Sequence, residues 1–133
     1  MTTEIKRKEF TYRGKTVDEL KKLDVREFSK YLKSGPRRTA LRQFQHIEDF
    51  VNRAKIKIDR NKSVRTHERS LVIVPEMVDM KISIHDGRNF IPITITGEML
   101  GHRLGEFAPT RGKVKHSKAG IGATKGSKFK AKK

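Results

Sequence analysis

The chain has 133 residues, 32 Lys and Arg against 15 Asp and Glu, and a formal net charge of +17. That excess demands polyanionic partners, while an apolar content of roughly 40% with Gly counted, against about 45–50% in ordinary domains, allows only a modest core. The absence of Cys excludes disulfides, thiol nucleophiles and cysteine-based zinc sites, no apolar run approaches the ~20 residues of a membrane span, and MTTEIKRKEF lacks a signal peptide's apolar stretch; an intracellular, non-membrane protein is expected.

Residues 1 to 15 are polar, basic and without period, and are expected to be unstructured. Two capping-box patterns follow, Thr16-Val17-Asp18-Glu19 and Asp24-Val25-Arg26-Glu27, and predict two small helices that bury Leu20, Leu23, Phe28, Tyr31 and Leu32. Ser34-Gly35-Pro36 is expected to end them, because Pro lacks an amide donor. From Arg38 to about Ile58, Leu41, Phe44, Ile47, Val51, Ala54 and Ile58 recur at helical spacing and predict one long helix. Arg38, Arg42, His46, Asp49, Arg53, Lys57 and Arg60 fall on its other side, a charged face that meets either solvent or phosphate. Residues 59 to 70 read as a polar basic connector.

Leu71-Val72-Ile73-Val74 predicts a short strand stopped by Pro75. Met80, Ile82 and Ile84 alternate with polar residues up to Asp86-Gly87, a two-residue hairpin turn, and Ile91, Ile93 and Ile95 alternate on the return. Pro92 puts that return strand at an edge or a bulge. Thr96 can cap a helix from Gly97, with Leu100, Leu104 and Phe107 as its apolar row and Gly105 and Pro109 as its end. Beyond Pro109 the chain carries frequent cations and almost no large apolar residue, so it cannot offset its ordering entropy without a partner.

The charge is unevenly placed: net +10 over residues 1–67, −2 over 68–106 and +9 over 107–133. A nearly neutral apolar centre is thus held between two cationic arms. Catalysis and metal binding find little support. His67, His85, His102 and His116 have no helical i, i+4 partner and no thiolate neighbour. The Gly120, Gly122 and Gly126 spacing fits neither phosphate-loop pattern. Glu76, Asp79 and Asp86 could hold a catalytic cation as in a nuclease, but acids at turns and strand ends ordinarily serve local purposes. Phosphate neutralisation with counterion release fits the charge better, and with no Trp and no exposed aromatic pair evident, base stacking is not expected.

Val74-Pro75-Glu76-Met77, His85-Asp86-Gly87 and the long run Gly101-His102-Arg103-Leu104-Gly105-Glu106-Phe107-Ala108-Pro109-Thr110-Arg111 resemble the S-nineteen family of small-subunit ribosomal proteins. The ending, from Lys115-His116-Ser117 through Gly120-Ile121-Gly122-Ala123-Thr124 to Ser127-Lys128-Phe129, is similar to its archaeal and eukaryotic branch, whose eukaryotic members are called small-subunit protein fifteen. The resemblance covers about residues 36 to 130; residues 1–35 match that branch's extension more loosely, and Asp79-Met80 departs from an expected uncharged residue followed by Leu.

The resemblance implies an α+β fold with a small mixed three-stranded sheet packed with helices, including a Gly101 to Phe107 helix on the sheet. It implies a structural constituent of the ribosome in the cytoplasm, not an enzyme, that binds small-subunit rRNA in the head beside the S-thirteen family protein. Its tail is sent toward tRNA at the decoding region. The expected organisation is a basic helical extension over 1–35, a globular rRNA-binding domain over 36–107 and a disordered basic tail over 108–133. The candidate RNA-binding residues are Arg37, Arg38, Arg42, Arg65, His67, Arg69, His102, Arg103, Thr110, Arg111, Lys113, Lys115, His116, Lys118, Lys125, Lys128 and Lys130. A plainer role stands beside this one for His102, as a polar helix residue, and for Thr66, His67 and Arg69, as solvated loop residues; Gly101 and Gly105 are read as packing and helix-termination points. No cofactor, metal or homo-oligomer is expected, and an architectural DNA- or chromatin-binding protein is the alternative.

Overall fold

The computed structural model describes residues 8–114, 120 and 125–126. The chain first makes a small ribbon where no structure was expected: β1 (Thr11–Tyr12) pairs antiparallel with β2 (Lys15–Thr16). Its turn has positive φ at both central residues, Arg13 at 48° and Gly14 at 80°, the backbone twist that tight hairpins favour. So short a ribbon needs tertiary support, which Tyr12 supplies by packing on Phe28 with ring centroids 6.0 Å apart.

Helix α1 (Val17–Lys21) starts with the predicted box: the Glu19 amide donates to Thr16 Oγ1 at 3.4 Å and the Thr16 amide to Glu19 Oε2 at 3.2 Å. Asp24 precedes α2 (Val25–Ser29), but its side chain makes no cap bond. Its carboxyl instead interacts with that of Glu48. The expectation that Ser34-Gly35-Pro36 terminates helix is overturned: these residues are the first turn of α3 (Ser34–Arg42), where a missing amide donor costs nothing. The single long helix is likewise two helices, α3 and α4 (Phe44–Asp59), broken at Gln43 with φ −116° and ψ 22°. Gln43 is no intrinsic breaker; α3 is turned to pack on α2, and Leu41 is left 48% exposed while Ala40 is buried.

The sheet is mixed and three-stranded, in the order β3 (Val64–Thr66), β4 (Lys81–His85), β5 (Phe90–Thr94). β3 runs parallel to β4, and β5 antiparallel to it at the edge, where Pro92 lies opposite Ser83. β3 falls inside the segment expected to be a connector, and Val64 and Thr66 are buried. The hairpin loop has four residues, not two: Asp86–Asn89 is closed by the Asp86 amide on the Asn89 carbonyl at 3.0 Å.

Leu71-Val72-Ile73-Val74 is fully buried but joins no sheet. It pairs with the segment after Gly101: the Ile73 amide donates to the His102 carbonyl at 2.8 Å and the Leu104 amide to the Leu71 carbonyl at 3.0 Å. This pairing explains why the expected helix from Gly97 to Phe107 is absent. Amides that a helix would bond internally are given to residues 69–73, and two 3₁₀ turns remain, Gly97–Met99 and Leu104–Phe107, with Gly101 at φ 79° between them. Thr96 precedes the first turn without a side-chain cap bond.

One core holds these parts together. Leu20, Val25 and Phe28 of the N-terminal helices and Leu32 just after them share a cluster with Ile47 and Val51 of α4, the buried 71–74 run and the inward Ile82, Ile84 and Ile95. Among the described residues no helix is long and apolar enough to cross a membrane.

Candidate nucleic-acid interface

The candidate residues divide by what their side chains touch. Two arginines spend their guanidinium donors on carbonyls of the fold itself. Arg37 closes the C-terminal end of α2, donating from Nε to the Ser29 carbonyl at 3.1 Å and from Nη2 to those of Lys30 at 2.8 Å and Leu32 at 3.1 Å. Ser29 and Lys30 end the helix, whose last carbonyls have no intrahelical partners, and Leu32 lies in the turn that follows. Arg69 donates to the His85 carbonyl at 2.7 Å, Gly105 at 2.8 Å and Ala108 at 2.5 Å, joining the end of β4 to the last 3₁₀ turn and the root of the tail. Gly105 serves close packing here, since a Cβ on it would lie 2.8 Å from the Arg69 Cβ.

Most of the other candidates among the described residues fall on three surfaces. On α3, Arg38 and Arg42 lie one turn apart beside exposed Leu41. Arg103 reaches this helix, its Nη2 donating to Thr39 Oγ1 at 3.2 Å, so the strand-like segment after Gly101 adds a guanidinium to the α3 surface. His102, next to it, has an i, i+4 partner after all: Glu106 holds it, with Nδ1 and Oε2 2.7 Å apart, a pair that makes no metal site among the described residues, and the ring meets Phe107 edge-on.

The second surface is the outer face of the sheet. Because Val64, Thr66, Ile82 and Ile84 point into the core, Arg65, His67, Lys81, Ser83 and His85 take the other face, joined by Phe90 opposite His85. Three rings meet there: His67 and His85 have centroids 4.3 Å apart, His67 and Phe90 5.1 Å, and His85 and Phe90 4.9 Å. The Arg65 guanidinium stands 5.5 Å from the centre of the Phe90 ring. Sequence reasoning missed His85 and Phe90 in this setting and found no exposed aromatic pair evident. The signal was available in strand parity, for the residues alternating with the isoleucines must share the opposite face.

The third surface is a cleft of about 900 Å³ between the β4–β5 loop and the root of the tail, bordered by Arg88, Thr110, Arg111 and Lys113. Asp86 also lines it, but its carboxylate is occupied by its own loop. The Asn89 and Arg88 amides donate to Oδ1 at 2.6 and 2.8 Å and hold this carboxyl below the ordinary aspartate range. Lys125 is exposed, whereas Lys115, His116, Lys118, Lys128 and Lys130, and with them most of the tail expected to be disordered, lie outside the described residues.

Little in this arrangement can do chemistry. Glu76 is paired with Lys55, and Asp79 with Lys21 at 3.3 Å. Asp79 and Asp86 lie beyond opposite ends of β4, on the order of 20 Å apart at the rise of a strand. They cannot share a cation, and among the described residues no three His, Asp or Glu side chains are grouped to hold one. Asp79 has φ 71°, which accounts for the polar residue there: Asp tolerates left-handed backbone better than most side chains.

Comparison with known proteins decides between the readings of so basic a surface. The family model described as Ribosomal protein S19 matches residues 32–116. The chain belongs to the ribosomal protein S19 family. It is 42% identical over 121 residues to Small ribosomal subunit protein uS19 of Methanococcoides burtonii, an alignment covering 91% of this chain and 87% of that protein. It is 41% identical over 130 residues to the protein of the same name from Saccharolobus solfataricus, covering 95% and 93%. A span that wide takes in most of the N-terminal extension, where the sequence resemblance was looser. As a member of the S19 family the protein is a structural, non-enzymatic part of the small ribosomal subunit, with ribosomal RNA as its partner.

Proposed function

We propose that the protein binds small-subunit rRNA in the head of the subunit, beside the S-thirteen family protein, and that its tail reaches toward tRNA at the decoding region, in cytoplasmic ribosomes. The body over 36–107, whose core the helices within residues 17–32 share, sets orientation, and the basic surface of the N-terminal region and the basic tail neutralise phosphates of separate RNA segments and hold them together during assembly. One observation carries this reading: Arg37 and Arg69 spend their donors on the fold's own carbonyls, yet Arg38, Arg42, Arg65, Arg88, Arg103, Arg111 and Lys113 stand on exposed surfaces with no carboxylate bonded to any of their side chains among the described residues. Cations so placed repel one another in the free protein and are offset only by a polyanion.

The mechanism is geometric and electrostatic. Lys and Arg release condensed counterions from RNA, and the rigid sheet with its flanking helices fixes which phosphates they reach. Competition at moderate salt tests it. A transcript of the small-subunit head should displace duplex DNA of equal charge from the protein; equal affinity for duplex DNA would favour the architectural DNA-binding alternative and refute the ribosomal placement.

A further inference from the structure

Resting on the RNA-binding reading, we propose that His67, His85 and Phe90, on the outer face of the sheet, form a stacking platform for one unstacked nucleobase of the bound RNA. Three features point to it. The rings come from the last residue of β4, the first of β5 and the residue just past β3, and lie on the side of the sheet away from the core, so their association does not serve core packing. His67, the exposed member, has among the described residues only ring contacts, and the polar edge of its imidazole is open to a base. His85 is fixed from behind: its Nδ1 accepts from the Gly87 amide at 3.1 Å, which sets the ring's orientation.

The surroundings favour a base over an apolar peptide side chain. Arg65 stands against Phe90, and Lys81 shares the face, so phosphates on either side of a splayed base would meet cations. The nearby Asp86 carboxylate is turned to its own loop, where the Arg88 and Asn89 amide dipoles offset part of its charge. Stacking on rings is tolerant of base identity, because every base offers a π-face, and it adds to backbone contacts a preference for unpaired nucleotides. A protein built only on phosphate contacts would bind paired and unpaired RNA alike.

The full chain can be tested with two short RNA hairpins of equal length, one carrying 2-aminopurine as a single bulged residue and the other carrying it paired. Binding is followed by anisotropy across a salt series, and stacking by quenching of the 2-aminopurine. The wild type is expected to quench the bulged probe and to prefer that hairpin. His67→Ala and Phe90→Leu should lose the quenching and weaken binding of the bulged hairpin by roughly 5- to 100-fold, with the paired hairpin unaffected. Phe90→Tyr should restore both. Arg65→Ala should flatten the salt dependence yet keep the quenching. Because His67 is exposed, its variant decides the matter should Phe90→Leu disturb folding. Normal salt-dependent binding without quenching, or quenching unchanged in His67→Ala, would overturn the platform and leave the RNA-binding reading standing. Failure of the wild type to bind either hairpin at low salt would overturn both.

Discussion

Replacing Arg69 should unfold the protein more easily and should not weaken its grip on RNA phosphate. The guanidinium bonds the carbonyls of His85, Gly105 and Ala108, from segments far apart in sequence, and it is half-buried. Arg69→Met keeps most of the stem that packs on Gly105 and removes every donor. Hydrogen bonds from a charged donor contribute about 1.5–3 kcal/mol each, but three on one group are not additive, and water can reach part of the site once the head is gone. A loss of about 2–4 kcal/mol follows, which for a urea slope of about 1.5 kcal/mol per molar lowers the midpoint by about 1–3 M. Arg69→Lys should recover only a fraction, since an ammonium lacks the planar fork that serves three carbonyls at once. Urea unfolding of the three proteins gives the answer, with a salt series of RNA binding alongside. A midpoint within about 0.3 M of wild type for Arg69→Met, together with a salt slope reduced by the share of about one phosphate, would refute this reasoning and return Arg69 to the RNA surface.

Other positions give sharper local tests. Gly101→Ala should cost at least about 2 kcal/mol, because left-handed backbone is strained for Ala and the new Cβ would lie 2.9 Å from both Leu32 Cδ2 and Tyr12 Oη; thermal unfolding close to wild type would contradict it. Burial first, then the hydrogen bond and repulsion of Asp24, raise the Glu48 carboxyl above its ordinary range. A group that binds its proton more tightly when folded opposes folding while ionised, and its penalty fades as pH falls through the raised value toward the unfolded one. Glu48→Gln should therefore stabilise the protein near pH 7, by less than about 1 kcal/mol, and the gain should vanish below the ordinary carboxylate range; an equal gain at both pH values would exclude this cause. At Asp79, where φ is 71°, Asn should be tolerated and Val should destabilise by about 1–2 kcal/mol, as urea midpoints will report.

The parts of the fold that could be read in the sequence are those whose signal is local. Isoleucines on alternate residues gave β4 and β5, Thr16 and Glu19 gave the start of α1, and the apolar spacing from Ile47 to Ala54 gave the buried side of α4. The misreadings share a cause: backbone groups were claimed by distant partners. Residues 71–73 pair with 101–104, and that one pairing removes both an expected strand and an expected helix. β3 has only three residues, with a cation between its two inward ones, so its parallel partner and not its composition makes it a strand. For the interface, residue type marked the cations but could not apportion them. Arg37 and Arg38 are neighbours, yet the first is turned to the carbonyls of α2 and the second to solvent. His67 and His85 looked like isolated metal candidates, and only the register of β3 against β4 brings them together with Phe90.

The most direct test of a folded centre that presents two basic regions to ribosomal RNA is the salt dependence of binding to a small-subunit head transcript, measured for the full chain and for a chain ending at Phe107. The tail beyond that point carries nine basic residues and no acid. Its removal should flatten the plot of log affinity against log salt by roughly 0.7 to 0.9 for each phosphate that the tail neutralises, and leave a shallower but still negative slope from the folded centre and N-terminal region. An identical slope for the two chains would contradict the account, because the most cationic part of the molecule would then be idle toward RNA.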